Sequence, residues 1–177
     1  MTIIAAAALA DVGVIVSDSW SHIYDDQGLN GNFINKVRPL PQHDMAVAMN
    51  GSVQGCETFL KCLLPLPLPN GMDDLEEDGL DIFRNAMDTA ADELDPDWQT
   101  GDSIEDTHPL AMAQVAIVGY SQRRGTFATI SFIHVPGSDV EMQVEEPGMS
   151  ISAPPVQGFD FSAQAHKKKI FISELVR

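Results

Sequence analysis

Two short runs of hydrophobic residues open the chain, and a turn separates them. Residues 2–10 are apolar or small, residues 11–13 are Asp-Val-Gly, and residues 14–16 are Val-Ile-Val. Alanine favours helix by intrinsic propensity, so residues 5–10 could be helical. The β-branched residues on both sides, and the Asp and Gly between the runs, favour two strands joined by a turn. We therefore predict a buried β-hairpin, followed by a polar loop over residues 20–33.

The same opening segment could also be a signal peptide, because it is apolar and contains small residues. A signal peptide begins with a positively charged region, whereas the first basic residue of this chain is Lys36. We therefore favour the hairpin. A short strand is predicted directly after Lys36, over residues 37–40.

The middle of the chain carries two helical patterns. Residues 44–49 are predicted to form a buried strand that turns at Asn50-Gly51, and Ser52 can cap the helix that follows. The apolar positions of this first helix have helical spacing and are Cys56, Phe59, Leu60 and Leu63. Prolines at positions 65, 67 and 69 end it, and residues 65–78 are expected to form a surface loop. The second helix is expected to end at Asp95-Pro96, and its apolar stripe comprises Leu80, Phe83, Met87, Ala90 and Leu94.

The last third of the chain begins with a second hairpin pattern. Residues 113–120 and 126–135 are rich in β-branched and aromatic residues and flank a Gly-containing turn. Beyond them, residues 140–144 alternate as an edge strand does, and residues 149–158 resemble a loop because they contain Pro154-Pro155. Residues 161–176 are compatible with a helix. This order of strands and paired helices predicts an α+β fold with two sheets and with helices packed outside them.

Length and charge limit the classes of function. The chain has 177 residues and a net charge of −16, which suits one domain over residues 1–177 and argues against nucleic-acid binding. No apolar run reaches the ~20 residues of a membrane-spanning helix. Between Asp73 and Asp106 there are 14 acidic residues and one basic residue. This acidic segment is either a solvated surface or a docking surface for a basic partner.

The two cysteines, Cys56 and Cys62, lie six positions apart without a second metal-ligand pair. They are typical of small apolar side chains in a reducing compartment, so we expect a cytoplasmic protein without a metal site.

Removal of Met1 would expose a residue with distinctive chemistry. Thr2 would then carry a hydroxyl and a free α-amine on one residue, and such an amine can act as the base for its own hydroxyl. An α-amine has a pKa of about 7.7–8.0, and a nearby ammonium would lower it. The candidates for the supporting groups are Lys36 as the ammonium, Asp18 as its carboxylate partner and the Gly51 N–H as the oxyanion donor. Each of these residues taken singly is commonly structural.

The order and spacing of these residues resemble a known family. Asp18 ends the strand that pairs with the first one, residues 36–40 read Lys-Val-Arg-Pro-Leu, and residues 48–52 read Ala-Met-Asn-Gly-Ser. Residues 118–120 read Val-Gly-Tyr and precede Arg124-Gly125. In these features the chain resembles proteasome β-type subunits, and most of all the peptidase subunit of the bacterial ATP-dependent two-component protease. Both are N-terminal-nucleophile (Ntn) hydrolases, and the resemblance extends roughly over residues 2–135.

The resemblance implies a four-layer αββα sandwich and a threonine-type peptidase. It implies Thr2 as the nucleophile with its own α-amine as base, Lys36 as the group that tunes that amine, Asp18 as the partner of Lys36, and Gly51 as the oxyanion donor. Members of the family cleave peptides or unfolded proteins through an acyl-enzyme, without a metal or an organic cofactor. Their subunits form homo-oligomeric rings and are usually fed by an ATP-dependent unfoldase.

The chain departs from the family pattern near its C-terminus. The family has a Gly-Ser-Gly before its third helix, where this chain has residues 154–158, and it continues with a fourth helix and further strands beyond the position of Arg177. We therefore expect the sandwich to be incomplete at the C-terminus. A threonine peptidase is the first hypothesis, and a catalytically inactive subunit with an assembly role is the alternative. Another amide hydrolase of this architecture and an unrelated acidic binding domain also remain open.

Overall fold

The computed structural model describes residues 4–25, 28–93, 113–135, 139–145 and 148–152. The first part of these ranges forms six strands: β1 (Ile4–Ala8), β2 (Gly13–Ser17), β3 (Trp20–Asp25), β4 (Gly28–Phe33), β5 (Val37–Leu40) and β6 (Met45–Gly51). Two helices follow, α1 (Val53–Leu63) and α2 (Met72–Asp92). The remaining strands are β7 (Ala113–Ser121), β8 (Thr126–His134), β9 (Glu141–Glu145) and β10 (Gly148–Ser152).

The strands form three antiparallel units. The largest is a five-stranded sheet in the order β5-β6-β7-β8-β9, and the second is a three-stranded sheet in the order β10-β1-β2. The third is the β3-β4 hairpin. The predicted opening hairpin is confirmed, with Ile4 opposite Ser17 and Ala8 opposite Gly13. The predicted hairpin around residues 121–125 and the edge strand over 140–144 are also present, as β7-β8 and β9.

The two larger sheets pack face to face. Ile4 and Ile15 from the three-stranded sheet meet Val37, Ala48 and Ala116 from the five-stranded sheet in one cluster. The alternation of side chains along a strand sends the neighbouring residues of β6 and β7 to the opposite face. This packing fixes the ends of β1 and β2 relative to the ends of β5 and β6.

Both helices cover that opposite face of the five-stranded sheet. Between the helices and the sheet lies a cluster of three aromatic rings, Phe59 from α1, Phe83 from α2 and Phe132 from β8, whose centroids lie 5.1 to 5.5 Å apart. All three side chains are fully buried. The described residues thus form a helix layer and two sheet layers of the predicted sandwich. The predicted helix over residues 161–176 and the breaker at Pro154-Pro155 lie outside the described residues.

Helix α1 follows the sequence-based prediction closely. The Ser52 side chain accepts a hydrogen bond from the Gly55 N–H at 3.0 Å and so caps the helix. The four predicted core positions, Cys56, Phe59, Leu60 and Leu63, are all buried. In α2 the predicted stripe is buried at Phe83, Met87 and Ala90 and half-buried at Leu80. Leu94 and the predicted helix end at Asp95-Pro96 lie outside the described residues.

Three predicted loops are wrong in part. Within the predicted loop over residues 20–33, Trp20–Asp25 and Gly28–Phe33 pair as β3 and β4, because Trp20, Ile23 and Tyr24 favour strand and the pairing satisfies the backbone of both segments. Helix α2 begins at Met72, within the predicted loop over residues 65–78. Its first turn carries two aspartates, which suit the positive end of a helix dipole. The start of the third predicted loop, over residues 149–158, belongs to β10, which pairs with the otherwise open edge of β1.

Candidate active site

A partly buried ion pair joins two of the predicted site residues. The Lys36 ammonium donates a hydrogen bond to the Asp18 carboxylate at 2.9 Å, and the Lys36 side chain is only 6% exposed. Asp18 follows β2 directly, and Lys36 directly precedes β5. The two strands belong to different sheets, so the pair forms because the sheets pack with these ends together. A charge this deep is stable only with such a partner.

The register of the opening hairpin relates this ion pair to the start of the chain. Ile4, the first described residue, lies opposite Ser17 in the β1-β2 ladder. Asp18 is therefore one position beyond the last described pair. It lies next to the Ile4 end of β1, and residues 1–3 precede Ile4 in the sequence. The predicted nucleophile, Thr2, lies outside the described residues.

Gly51 ends β6 beside the same ion pair. Its φ is +85°, in the left-handed region that glycine adopts most readily. Two residues earlier, the Met49 N–H donates to the Lys36 carbonyl oxygen at 3.1 Å. Alternate residues of a strand direct their N–H groups to the same side, so the Gly51 N–H is directed to the side of Lys36. Helix α1 begins two residues later and adds the positive end of its dipole.

Lys36 and Gly51 line one cleft of the described structure, and the residues around it divide into two kinds. Met49, Val53 and the buried Cys56 give the cleft an apolar wall. At the rim, the Arg38 guanidinium makes a two-bond contact with the Glu57 carboxylate across β5 and α1. A cleft with a cation and a backbone donor beside an apolar wall can hold a polar carbonyl and a neighbouring apolar side chain at the same time.

Within the described ranges, no group of three or more His, Cys, Asp or Glu side chains is placed to hold a metal ion. Neither α1 nor α2, the helices of those ranges, has the length and hydrophobicity that crossing a membrane requires.

Two contacts around the cleft had no counterpart in the sequence-based prediction. The buried amides of Asn50 and Gln114 face each other at 3.4 Å across β6 and β7. The Cys56 thiol lies against the backbone carbonyls of the same two residues. The sequence placed Cys56 on the buried face of α1 but carried no signal for its carbonyl partners, since Gln114 lies 58 positions away.

Comparison by sequence finds no matching protein-family model and no matching curated protein. Solved structures do match. Anbu (ancestral beta-subunit) from Yersinia bercovieri aligns with a TM-score of 0.53 at 11% identity, over 87% of this chain and 61% of its own length. Eukaryotic HslV from Trypanosoma brucei aligns with a TM-score of 0.39 at 13% identity, over 99% of this chain and 91% of its own.

The architecture, two packed antiparallel sheets with two helices on the outer face of the five-stranded one, resembles the Ntn-hydrolase fold. More narrowly, the chain has a proteasome β-subunit-like fold, which confirms the resemblance and the fold class predicted from the sequence. The chain spans 61% of the length of the Anbu structure. At this level of identity the match shows the fold alone.

Proposed function

We propose that this protein is a threonine-type peptidase with Thr2 as its nucleophile. The single observation that supports this most strongly is the ion pair between the buried Lys36 and Asp18, which lies next to the Ile4 end of β1. Burying an ammonium costs free energy, and in the proposed reaction this ammonium acts on the base. The match to proteasome-like structures supports the same function at the level of fold.

The proposed reaction begins once Met1 has been removed. The Thr2 hydroxyl attacks the carbonyl carbon of a peptide bond, and the α-amine of Thr2 takes up the hydroxyl proton. The ammonium of Lys36 lowers the pKa of that amine, so that more of it is neutral and able to act as a base. Asp18 holds the Lys36 ammonium in place. Proton transfer therefore needs no residue other than the nucleophile itself.

Negative charge develops on the carbonyl oxygen during the attack. The Gly51 N–H, directed to the side of Lys36 at the positive end of α1, would donate a hydrogen bond to that oxygen. Collapse of the tetrahedral intermediate expels the amine of the leaving peptide, which receives the proton from the Thr2 amine. A water molecule then hydrolyses the ester on Thr2 and regenerates the hydroxyl. The apolar wall of the cleft would contact a substrate side chain next to the cleaved bond.

Hydrolysis of fluorogenic peptides tests this proposal. The chain without Met1 should be active, Thr2→Ala should lose activity by at least about a thousandfold, and Thr2→Ser should retain a measurable part of it. Ser19→Ala, at an exposed position beside Asp18, is the matched control and should leave the rate unchanged. Hydrolysis that survives Thr2→Ala would contradict the proposal. Retention of Met1 in the purified native protein would instead support the alternative, an inactive subunit with an assembly role.

We further propose that subunits assemble into homo-oligomeric rings that receive unfolded protein from an ATP-dependent unfoldase. The proteasome-like fold supports this at the level of architecture. Both cysteines are free thiols, which supports a reducing compartment such as the cytoplasm. Native mass spectrometry should give one high-order oligomer, and a strict monomer at micromolar concentration would contradict ring assembly.

A further inference from the structure

The Cys56 side chain lies beneath the strand end that carries Gly51. Cys56 belongs to the first turns of α1 and is 2% exposed. Its Sγ lies 3.6 Å from the Asn50 carbonyl oxygen and 3.9 Å from the Gln114 carbonyl oxygen. At these distances the thiol donates a shared hydrogen bond to the two carbonyls, whose residues are opposite each other in the β6-β7 ladder. The thiol thus connects α1 to both strands at the edge of the cleft.

The Asn50 carbonyl and the Gly51 N–H belong to the same peptide group. This group is planar and trans, so its C=O and N–H point in opposite directions. The Met49 N–H bonds to Lys36 on one side of β6, and the Asn50 carbonyl therefore points to the other side, towards β7 and the thiol. A contact that fixes the Asn50 oxygen consequently fixes the direction of the Gly51 N–H.

The thiol is itself held in place and stays protonated. The Cys56 N–H donates to the Ser52 carbonyl at 3.0 Å, within the capped first turn of α1. Burial raises the pKa of Cys56 to about 12, against the smaller opposing effect of its contacts with the two carbonyls. The side chain is therefore a hydrogen-bond donor throughout the pH range in which a peptidase works, and it is not a nucleophile.

We propose that Cys56 is a positioning residue, whose thiol hydrogen holds the Asn50 carbonyl and thereby directs the Gly51 N–H into the cleft. The catalytic part of this inference rests on the proposed function, because the direction of that N–H matters only if Gly51 stabilises an oxyanion. The effect on the backbone does not depend on any reaction.

Kinetics separate a positioning role from simple core packing. Cys56→Ala removes the donor, and Cys56→Val removes it while filling the space. Both should lower kcat about tenfold with KM little changed, because an oxyanion contact acts in the transition state. Cys56→Ser retains a donor and should keep kcat within about threefold of the parent. Cys62→Ala, at a half-buried position on the same helix, is the control. Full kcat in Cys56→Val, or an equal loss in Cys56→Ser, would overturn the proposal.

An NMR measurement keeps the proposal testable if no peptide is hydrolysed. In a Thr2→Ala background, Cys56→Val should shift the Gly51 amide resonance and raise its hydrogen exchange rate, while Cys62→Ala should leave both unchanged. Absence of hydrolysis in the parent would contradict the proposed function without touching this readout. A Gly51 amide that is identical in Cys56→Val and the parent would overturn the positioning role.

Discussion

Lys36 is the residue on which the proposed site depends most. Its charge is nearly excluded from solvent, while its partner Asp18 keeps about a third of its side-chain surface exposed. The exposed side of Asp18 reduces the cost of burial, and the short contact fixes the position of the ammonium. The two residues lie 18 positions apart and meet only after two sheets have packed together.

Substitutions of the pair should therefore affect stability unequally. Asp18→Asn leaves the Lys36 ammonium without its carboxylate, and we expect the free energy of unfolding to fall by about 2 kcal/mol. Lys36→Met replaces the charge by an apolar side chain of similar length, and we expect a change of less than about 1 kcal/mol. Both variants should lose at least about a hundredfold in kcat for peptide hydrolysis. Urea denaturation with parallel rate measurements checks this, and an active Lys36→Met variant would remove Lys36 from the mechanism.

The positions of the proposed site residues were predictable from the order of strands and turns along the chain. Asp18 and Lys36 stand at the ends of predicted strands, and Gly51 stands where a strand meets a capped helix, so their types and spacing were visible. The contacts of the Cys56 thiol were not visible, because its two carbonyl partners come from β6 and from the distant β7. Every residue has a backbone carbonyl, so residue types do not indicate which carbonyl accepts a hydrogen bond.

At the scale of elements, the start of α2 is hydrogen-bonded to the β7-β8 turn. The buried Asp73 carboxylate accepts hydrogen bonds from the Ser121 hydroxyl at 2.5 Å and from the Arg123 backbone N–H at 2.8 Å. One turn further along α2, the Arg124 guanidinium makes a two-bond contact with Glu76. Several of the acidic residues in the segment from Asp73 are thus structural partners, and the acidity of that segment is not entirely a solvated surface.

The contacts of Asp73 and Glu76 with the β7-β8 turn should make the free energy of unfolding depend on pH. Burial alone would raise the pKa of Asp73, but the hydrogen bonds from Ser121 and Arg123 outweigh burial and hold that pKa below its ordinary value of 3.8. The hydrogen bond from Arg124 likewise lowers the pKa of Glu76. Because the pKa of Asp73 is lower in the folded state, the ionised carboxylate stabilises the fold above pH 3.8, and this stabilisation is lost as the pH falls below that value.

We therefore expect Asp73→Asn to lower the free energy of unfolding at pH 7 by about 2 kcal/mol, because Asn replaces the charged acceptor of two hydrogen bonds. Its stability should also fall less steeply than that of the parent below pH 4. Denaturation curves between pH 7 and pH 3 provide the measurement, with Asp92→Asn, exposed near the end of α2, as the control. Parallel losses in Asp73→Asn and the parent at low pH would contradict this assignment.

A second prediction concerns the packing of α2 on the sheet. Glycine in a helix is unfavourable, but a Cβ on Gly79 would lie 2.7 Å from the Phe132 ring. Gly79→Ala should gain about 1 kcal/mol of helix propensity and lose more through overpacking, with a net loss of about 1 kcal/mol. The exposed Asn85→Ala on the same helix should be slightly stabilised, since it gains propensity without the contact. Thermal denaturation of both variants distinguishes packing from propensity, and a stabilised Gly79→Ala would refute the close approach.

Elements were predictable wherever side-chain period and capping agreed, as in α1 and in the β7-β8 hairpin. The start of α2 was missed because the prolines that end α1 were extended into a longer loop, whereas the break lies at Gly71, which precedes Met72. β10 was missed because its residues precede Pro154-Pro155 and its partner strand, β1, lies at the opposite end of the sequence. Pairing over that distance cannot be obtained from a local pattern.

At the scale of the whole molecule, the packing of the two sheets places residues that are distant in sequence near one end of β1. Asp18 follows a strand of the three-stranded sheet, while Lys36 and Gly51 lie at strand ends of the five-stranded sheet. The hydrophobic pattern and the resemblance predicted this arrangement of layers. The sequence did not predict how the buried faces meet, since that depends on small residues such as Ala48 and Ala116 between the sheets.

The central claim, that Thr2 is an activated nucleophile, is tested most directly by covalent trapping. The protein without Met1 is incubated with a peptide vinyl sulfone, a general electrophile for nucleophilic residues, and the modified residue is located by peptide mass mapping. We predict one adduct on Thr2, absent in Thr2→Ala and strongly reduced in Lys36→Met. An unmodified Thr2, or an adduct that forms equally in Lys36→Met, would contradict the account.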